Sequence, residues 1–281
     1  MAGRITPPPM PVGVSVIVPA WNEETRIRAA LTRYVEVLRS LGMPYEIIVV
    51  IDGVQKDRTA DIVREMAPFG VRLLEFPQRL YKGGAVLRGL KVGQYSIVGY
   101  LDADSPISSE DIVKLIRATD SCDAAIGSRR LPDSVGTGHR PTSRAVFRVG
   151  FNSLTRAVLG LPLSDTQCGA KFFRKERLDQ ILPAVRLHGW AFDAALLFNL
   201  RKGGGTIKEF PVAWNHDPGS KLPLAEQVPV MLMSVFFIRI LSFKFVQKLP
   251  QRWTWWFART FMKRAPAHQF PDPAPGFRRS G

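Results

Sequence analysis

The sequence predicts an α/β fold built on a mostly parallel sheet with helices on both faces. Two observations carry that expectation. From residue 14 to about 130, short apolar runs alternate with segments of helical period. The runs are continuously apolar rather than alternating, as strands covered on both faces are. The chain has 281 residues, 46% of them hydrophobic, enough for one large α/β domain with or without an appendage.

Val14–Val18 is an apolar run stopped by Pro19 and reads as a buried strand. Helical spacing follows over Glu23–Leu41 and ends at Gly42. Glu46–Ile51 is a second β-branched run, Asp57–Met66 a helix and Val71–Phe76 a third strand. Lys82–Val92 is helical, Ser96–Leu101 a strand, Ser108–Thr119 a helix capped by its serine, and Ala124–Ile126 a short strand. Ligands of such sheets bind beyond the carboxyl ends of the strands. The candidate loops therefore begin near Pro19, Asp52, Pro77, Asp102 and Gly127. Past residue 130 the alternation weakens: Arg144–Leu159 and Trp190–Lys202 read as helices, Thr206–Trp214 as a strand.

Composition narrows the class. Charged residues at 22% and aromatics at 10% exclude an acidic or low-complexity disordered chain. A formal charge of +15 favours polyanionic partners: nucleic acid, anionic lipid or phosphorylated small molecules. Two cysteines, Cys122 and Cys168, are too few for a disulfide framework, and a cytoplasmic setting is expected. Met1–Gly13 is Pro-rich and without the apolar core of a signal peptide; it is expected to be disordered. No apolar run reaches the roughly 18 residues that span a bilayer; Val228–Ile238 comes nearest and is followed by Arg239 and Lys244.

Four short segments carry chemistry. Asp102-Ala-Asp104 follows an apolar strand, and in an extended backbone these two carboxylates point the same way. Together they can hold Mg²⁺ or Mn²⁺, which would bridge a pyrophosphate; alone, the pair reads equally as a solvated turn. In Val16-Ile-Val-Pro-Ala-Trp-Asn-Glu-Glu24, Asn22 and Glu23 sit where they can cap a helix or meet a nucleoside. Asp52 ends the fully apolar run Ile48–Ile51, with Gly53 permitting a tight turn. Lys82-Gly83-Gly84-Ala85 opens a helix, and backbone amides there suit an anion or simply close a loop. After the fifth strand Arg129, Arg130, Arg140 and Arg144 form a basic cluster suited to phosphate, or to a solvated loop. His139, His188 and His216 have no metal-ligand spacing with cysteine.

In this order and spacing the four segments resemble the GT-A glycosyltransferases of family 2. Asp165-Thr-Gln-Cys-Gly-Ala-Lys-Phe-Phe173, Trp190-Ala-Phe-Asp193 and Gly219-Ser-Lys-Leu222 are similar to the dolichyl-phosphate glucose synthases among them, and more distantly to the mannose synthases. The likeness covers residues 13 to 222. It implies a GT-A domain over residues 14–222. Pro19, Asn22, Glu23 and Asp52 would line the nucleotide pocket, with Lys82 and Gly83 beside the diphosphate. Asp102 and Asp104 would hold the metal and Gln167 would shape the sugar pocket. Asp193 would stand near the transferred sugar, and Arg129 with Arg130, Arg140 and Arg144 beside the acceptor phosphate. Asp193, Asp104 and Arg129 are thus the expected catalytic residues. There are departures: Ile51 and Val54 flank Asp52-Gly53 where the family usually shows Asp and Ser, and Ala195 stands where a Glu is common.

The implied reaction is in-line, inverting transfer of a hexose, glucose before mannose, from a UDP- or GDP-sugar to a polyprenyl phosphate. A phosphate oxygen is already ionised at neutral pH and needs no strong base. The alternative is a hydroxyl acceptor with Asp193 as general base. A nucleic-acid binder is the remote alternative, and no nucleic acid is expected as partner.

Residues 227–281 carry nine Lys or Arg against one acid, Asp272. Residues 223–264 are expected to form amphipathic helices at an anionic membrane's inner face. Leu232, Val235, Phe236, Leu241 and Phe245 would share the apolar side, with Arg239, Lys244, Lys248 and Arg252 around it and Trp253, Trp255 and Trp256 following. The same helix packing on the catalytic domain is the competing reading. Residues 265–281 are Pro-rich and expected to be disordered. Asp52→Ala is expected to weaken nucleotide binding with little change in melting temperature.

Overall fold

The computed structural model describes residues 10–104, 107–137, 142–185, 189–215, 224–243 and 246, with backbone alone described at 142–146, 148 and 224–227. The elements are β1 (Val14–Ala20), α1 (Glu24–Ser40), β2 (Tyr45–Asp52), α2 (Thr59–Glu65), β3 (Val71–Phe76), α3 (Tyr81–Val92), β4 (Ile97–Tyr100), α4 (Ser109–Ala118) and β5 (Ala124–Ser128). There follow β6 (Gly136–Thr137), α5 (Thr142–Leu159), β7 (Lys171–Arg174), α6 (Lys175–Ile181), α7 (Phe192–Lys202), β8 (Ile207–Pro211), β9 (Trp214–Asn215) and α8 (Leu224–Leu241).

Seven strands form one sheet in the order β3-β2-β1-β4-β7-β5-β8. Strands β1, β2, β3 and β4 pair in parallel, as do β5 and β8; β7 alone runs against its neighbours β4 and β5. The central strands are buried on both faces, with Val16, Ile17 and Val18 and Ile47 through Val50 fully covered. Their continuous hydrophobicity is the physical reason they sit inside. One layer of core joins α3, α5, α7 and α8 to the sheet, and the other joins α1, α2 and α4. Ser108 caps α4 as expected, its hydroxyl accepting from the Asp111 amide at 3.1 Å.

Strand β6 and helix α6 are not expected from the sequence, and three further features differ from the sequence expectation. The stretch 206–214 is two strands, β8 and β9, the second pairing with β6 in a separate two-stranded sheet. Strand β7 has no counterpart in the sequence reading. It is four residues long and opens with a lysine, so it carries neither the length nor the pattern of a buried strand.

The third concerns α8. It is apolar almost all round, so periodicity could not choose which side faces inward. Met231, Val235, Phe237 and Ile238 are buried in the core shared with α5 and α7, while Leu232 and Leu241 pack against it. Val235, Leu232 and Leu241, expected on a free apolar side, thus pack on the domain, as the competing reading has it, although the expectation placed its boundary at residue 222. The exposed apolar stripe is Met233, Phe236 and Ile240, continued by Phe243 beyond the helix. Phe245, Lys244, Lys248, Arg252 and the three tryptophans lie outside the described residues, as do residues 1–9 and 265–281.

Candidate active site

The order of the sheet places the site. From β1 the chain winds outward through β2 to β3 and then returns to β4 on the other side of β1, so the crevice beyond the carboxyl ends of β1 and β4 is a topological switch point. A cleft of about 770 Å³ opens there. Six of the residues expected in the site line it: Pro19, Glu23, Asp52, Lys82, Asp102 and Asp104. Trp21, Arg79, Tyr81 and Trp190 complete much of its wall.

Asp102 and Asp104 are half-buried just past β4. Lys82, in the first turn of α3, sets its ammonium 2.6 Å from Asp102 Oδ1. Burial, the largest single effect, pulls the Lys82 ammonium down, but Asp102 and then Asp193 outweigh it and hold it above its ordinary value. The other face of Asp102 is set by a close approach. A Cβ on Gly169 would fall 2.0 Å from Asp102 Oδ2, so only glycine lets the strand β7 approach pass under that carboxylate. Two adjacent carboxylates that already attract an ammonium fit a hard divalent cation whose other ligands are water and phosphate oxygens. No group of three or more acidic, His or Cys side chains suited to a metal occurs among the described residues.

Because β7 is antiparallel, its start rather than its end lies at the cleft side of the sheet. Lys171 therefore stands beside Tyr100, its registered partner. The Lys171 side chain is fully buried and donates to Asp193 Oδ1 at 2.7 Å and to the Cys168 carbonyl at 2.6 Å. The Tyr100 hydroxyl donates to the same Asp193 oxygen. Burial, then the Asp193 carboxylate, push the Tyr100 phenol well above its ordinary value, so it remains a donor. Asp193 lies in the first turn of α7, where an acid meets the positive end of the helix. Its Oδ1 thus accepts from two donors, one an ammonium, which fixes the carboxylate in place.

Arg129, at the end of β5, forms a fork with the buried Asp165: Nε to Oδ2 at 2.6 Å and Nη2 to Oδ1 at 2.9 Å. Burial lowers the guanidinium, but Asp165 outweighs it and holds it above its ordinary value. Glu209 on β8 in turn accepts from the Ser164 and Asp165 amides at 2.7 and 2.9 Å. The fork orients Arg129 and leaves its Nη1 edge. Arg130 is exposed. Arg140 lies outside the described residues, and Arg144 is described by its backbone within α5 alone. Gln167 is outside the described lining of the cleft; its amide donates to Asp165 Oδ1 at 3.2 Å.

For three of the expected residues the structure shows a role within the fold. Asn22, like Gly83, Arg129 and Asp193, is outside the cleft's described lining. It adopts a left-handed φ of 53°, and its Oδ1 accepts from the Lys56 amide at 2.9 Å, tying the loop after β1 to the loop after β2. Gly83 is buried within α3, and the anion at that helix start is the protein's own. Asp52 Oδ2 accepts from the Leu80 and Tyr81 amides at 2.8 and 2.7 Å and lies 3.1 Å from Arg79 Nη1. A carboxylate serving two amides and a guanidinium is structural as well as cleft-lining, so loss of Asp52 cannot leave stability untouched.

The sequence reading missed Tyr100, Asp165 and Lys171, along with Trp21, Arg79 and Tyr81. Lys171 alone left a signal: a lone cation within Ala170–Phe173, which a buried strand tolerates only with a partner.

The comparisons with known proteins agree with this geometry. Residues 15–182 match the family described as "Glycosyl transferase family 2". A dolichyl-phosphate beta-glucosyltransferase of Dictyostelium discoideum is 33% identical over 224 residues, covering 74% of this chain and 68% of the relative. The Saccharomyces cerevisiae protein of the same name is 32% identical over 250 residues, covering 81% and 74%. Among solved structures, glucosyl-3-phosphoglycerate synthase of Mycobacterium tuberculosis bound to Mn²⁺, UDP and glucosyl-3-phosphoglycerate has a TM-score of 0.54 at 20% identity, covering 81% of this chain and 78% of that one. TarS of S. aureus gives 0.56 at 17%, covering 90% and 71%. At those identities the structures speak for the shared fold. The sequence matches span both the carboxylate pair after β4 and the β7 approach that completes it: the chain is a glycosyltransferase and belongs to glycosyl transferase family 2.

Proposed function

We propose that this enzyme transfers a hexose, glucose before mannose, from a nucleoside-diphosphate sugar to a polyprenyl phosphate, with inversion. The observation that carries the reading is the cleft at the switch point, where Asp102, Asp104 and Lys82 gather to receive a diphosphate. The names of the relatives supply the acceptor class. In this reading Asp102 and Asp104 hold Mg²⁺ or Mn²⁺, which offsets charge on the departing diphosphate. Lys82 adds a fixed positive charge on the same side. Asp193, held by Lys171 and Tyr100, faces the sugar as a fixed acceptor of hydrogen bonds. Arg129, oriented by Asp165, offers its remaining edge to the acceptor phosphate. A phosphate nucleophile arrives ionised and needs no base, whereas a hydroxyl acceptor would call on Asp193 for one.

The test is a donor screen reading nucleotide release, with and without polyprenyl phosphate. Release from a UDP- or GDP-hexose that depends on the lipid phosphate, and stops with EDTA, is the expected result. Transfer to a soluble hydroxyl acceptor with no response to polyprenyl phosphate would overturn it. Asp104→Ala should lower turnover by orders of magnitude, and full activity there would remove the metal assignment.

A peripheral membrane location at the inner face belongs to the same reading. No helix among the described residues is long and apolar enough to cross a bilayer. The exposed stripe Met233, Phe236, Ile240 and Phe243 offers an apolar face, and the basic sequence after it supplies charge. Co-sedimentation with anionic vesicles should weaken with salt and with Phe236→Ser. Indifference to anionic vesicles at low salt would sink the membrane reading.

A further inference from the structure

The turn that carries Asp102 and Asp104 begins where the ladder of the sheet stops. The last described rung between β1 and β4 is the Leu101 amide on the Ile17 carbonyl, at 2.9 Å. One residue further on, a side chain takes over. The Tyr34 hydroxyl, from the middle of α1, donates to the Asp102 carbonyl at 2.6 Å. Its neighbour Arg33 holds the far end of the same turn. That guanidinium donates through Nη2 to the Ile107 carbonyl and through Nε to the Ser109 hydroxyl, the latter at 3.2 Å. Two consecutive residues of one helix thus grip the chain on either side of the carboxylate pair.

The two grips are not equivalent. The exit of the turn has further support, because Ile107 bridges Trp214 and the Ser108 amide donates to the Ala213 carbonyl at 3.1 Å. At the entrance the hold on the Asp102 backbone is Tyr34. This tyrosine is 1% exposed, and its ring lies in the core layer that contains Val18, Leu101, Ala103 and Ile107. A tyrosine has only two side-chain torsions, so a buried ring fixes its hydroxyl in the frame of α1 and the sheet. The carboxylate of Asp102 is bounded as well, by Lys82 at Oδ1 and by the close passage of Gly169 at Oδ2.

Mg²⁺ demands near-ideal octahedral geometry, so carboxylates that share it must keep their separation. Groups that hydrogen-bond behind the ligands set that separation, and removing one costs about 10–100-fold in metal affinity or activity.

We propose that Tyr34 is a positioning residue for the metal site: its hydroxyl, on the Asp102 carbonyl, sets the turn so that Asp102 and Asp104 share one divalent cation. The inference rests on the reading of these two aspartates as metal ligands. It adds to them a helix residue outside the cleft's described lining. A tyrosine hydroxyl that merely satisfied itself in the core would affect stability and leave the metal alone.

The experiment compares the full chain with Tyr34→Phe, Thr119→Val and Asp104→Asn. The probe is Mn²⁺ alone, its free fraction read by electron paramagnetic resonance, with thermal unfolding of each protein alongside. Phenylalanine keeps the ring and removes only the donor. Thr119→Val removes another buried hydroxyl that donates to a carbonyl, the 2.7 Å bond to Ile116 just past α4, and is the control for stability. Tyr34→Phe should weaken Mn²⁺ binding about tenfold. Activation of transfer should then need proportionally more Mn²⁺. Thr119→Val should bind Mn²⁺ as the parent does, even where it melts as low as Tyr34→Phe. If Tyr34→Phe binds Mn²⁺ as tightly as Thr119→Val does, the tyrosine serves the core alone and the proposal is overturned. If Asp104→Asn binds Mn²⁺ as tightly as the parent, the metal assignment itself falls and takes the proposal with it.

Discussion

Lys171→Met should strongly destabilise this enzyme. The lysine side chain is wholly excluded from solvent, its partner carboxylate is 7% exposed, and the two are 2.7 Å apart. Methionine fills a similar volume, so the loss is almost purely electrostatic. It strands the Asp193 carboxylate with the Tyr100 hydroxyl as its remaining described donor and frees the Cys168 carbonyl. Breaking a buried pair from one side costs about 3–5 kcal/mol. In a domain of this size each kcal/mol moves the melting temperature by roughly 2–4 °C, so a fall of about 10 °C is expected. The double variant Lys171→Met/Asp193→Asn leaves no buried charge without its counterion and should regain much of that loss. Thermal unfolding followed by circular dichroism on the parent, both single variants and the double variant closes the cycle. If Lys171→Met melts within about 2 °C of the parent, or the double variant falls by the sum of the singles, the two groups do not act as a pair.

Gly169→Ala should cut transfer at least tenfold while the protein stays folded, because the new methyl displaces the flexible end of Asp102 rather than backbone. An Mn²⁺ activation curve should move to higher metal concentration, and an unchanged curve would refute the close approach. Asp52→Ala should lower the melting temperature by several degrees as well as weaken nucleotide binding, since three donors lose their acceptor. An unchanged melting temperature would return Asp52 to a purely ligand-binding role. Burial, the largest single effect, would raise the Asp123 carboxyl, but the Thr206 amide and hydroxyl at 2.8 and 3.0 Å, with Arg177, outweigh it and hold it below its ordinary value of 3.8. A depressed carboxyl stabilises the fold above its unfolded pKa, and that stability is lost as pH falls through the folded value. The stability gap between the parent and Asp123→Asn should therefore be full near neutrality and shrink below about pH 4, which denaturant titrations across pH would show.

Much of the site was legible in the sequence because its residues lie at strand ends. Pro19, Asp52 and Asp102 each follow or close a continuous apolar run, and a parallel sheet with helices on both faces must put such residues on one edge. The spacing of Asp102 and Asp104 was local information of the same kind. Asn22 stands at the same edge, yet its side-chain oxygen is used within the fold, and at the start of α3 the Leu80 and Tyr81 amides are already taken by Asp52. Position at a strand end tells which edge a residue is on, and not whether its polar atoms are already taken.

The order of strands and helices to residue 130, and the edge on which chemistry could assemble, follow from the chain's local pattern. Hydrophobic continuity and helical period are properties of neighbouring residues. Long-range packing is what inserts β7 between β4 and β5 in the opposite direction, carrying Lys171 to Asp193 and Gly169 beneath Asp102. It also decided which side of α8 faces the core. A four-residue strand and an all-apolar helix hold no periodic signal, so their direction and facing are set by what they meet: a buried cation seeking a carboxylate, and a sheet face that the first 130 residues leave uncovered.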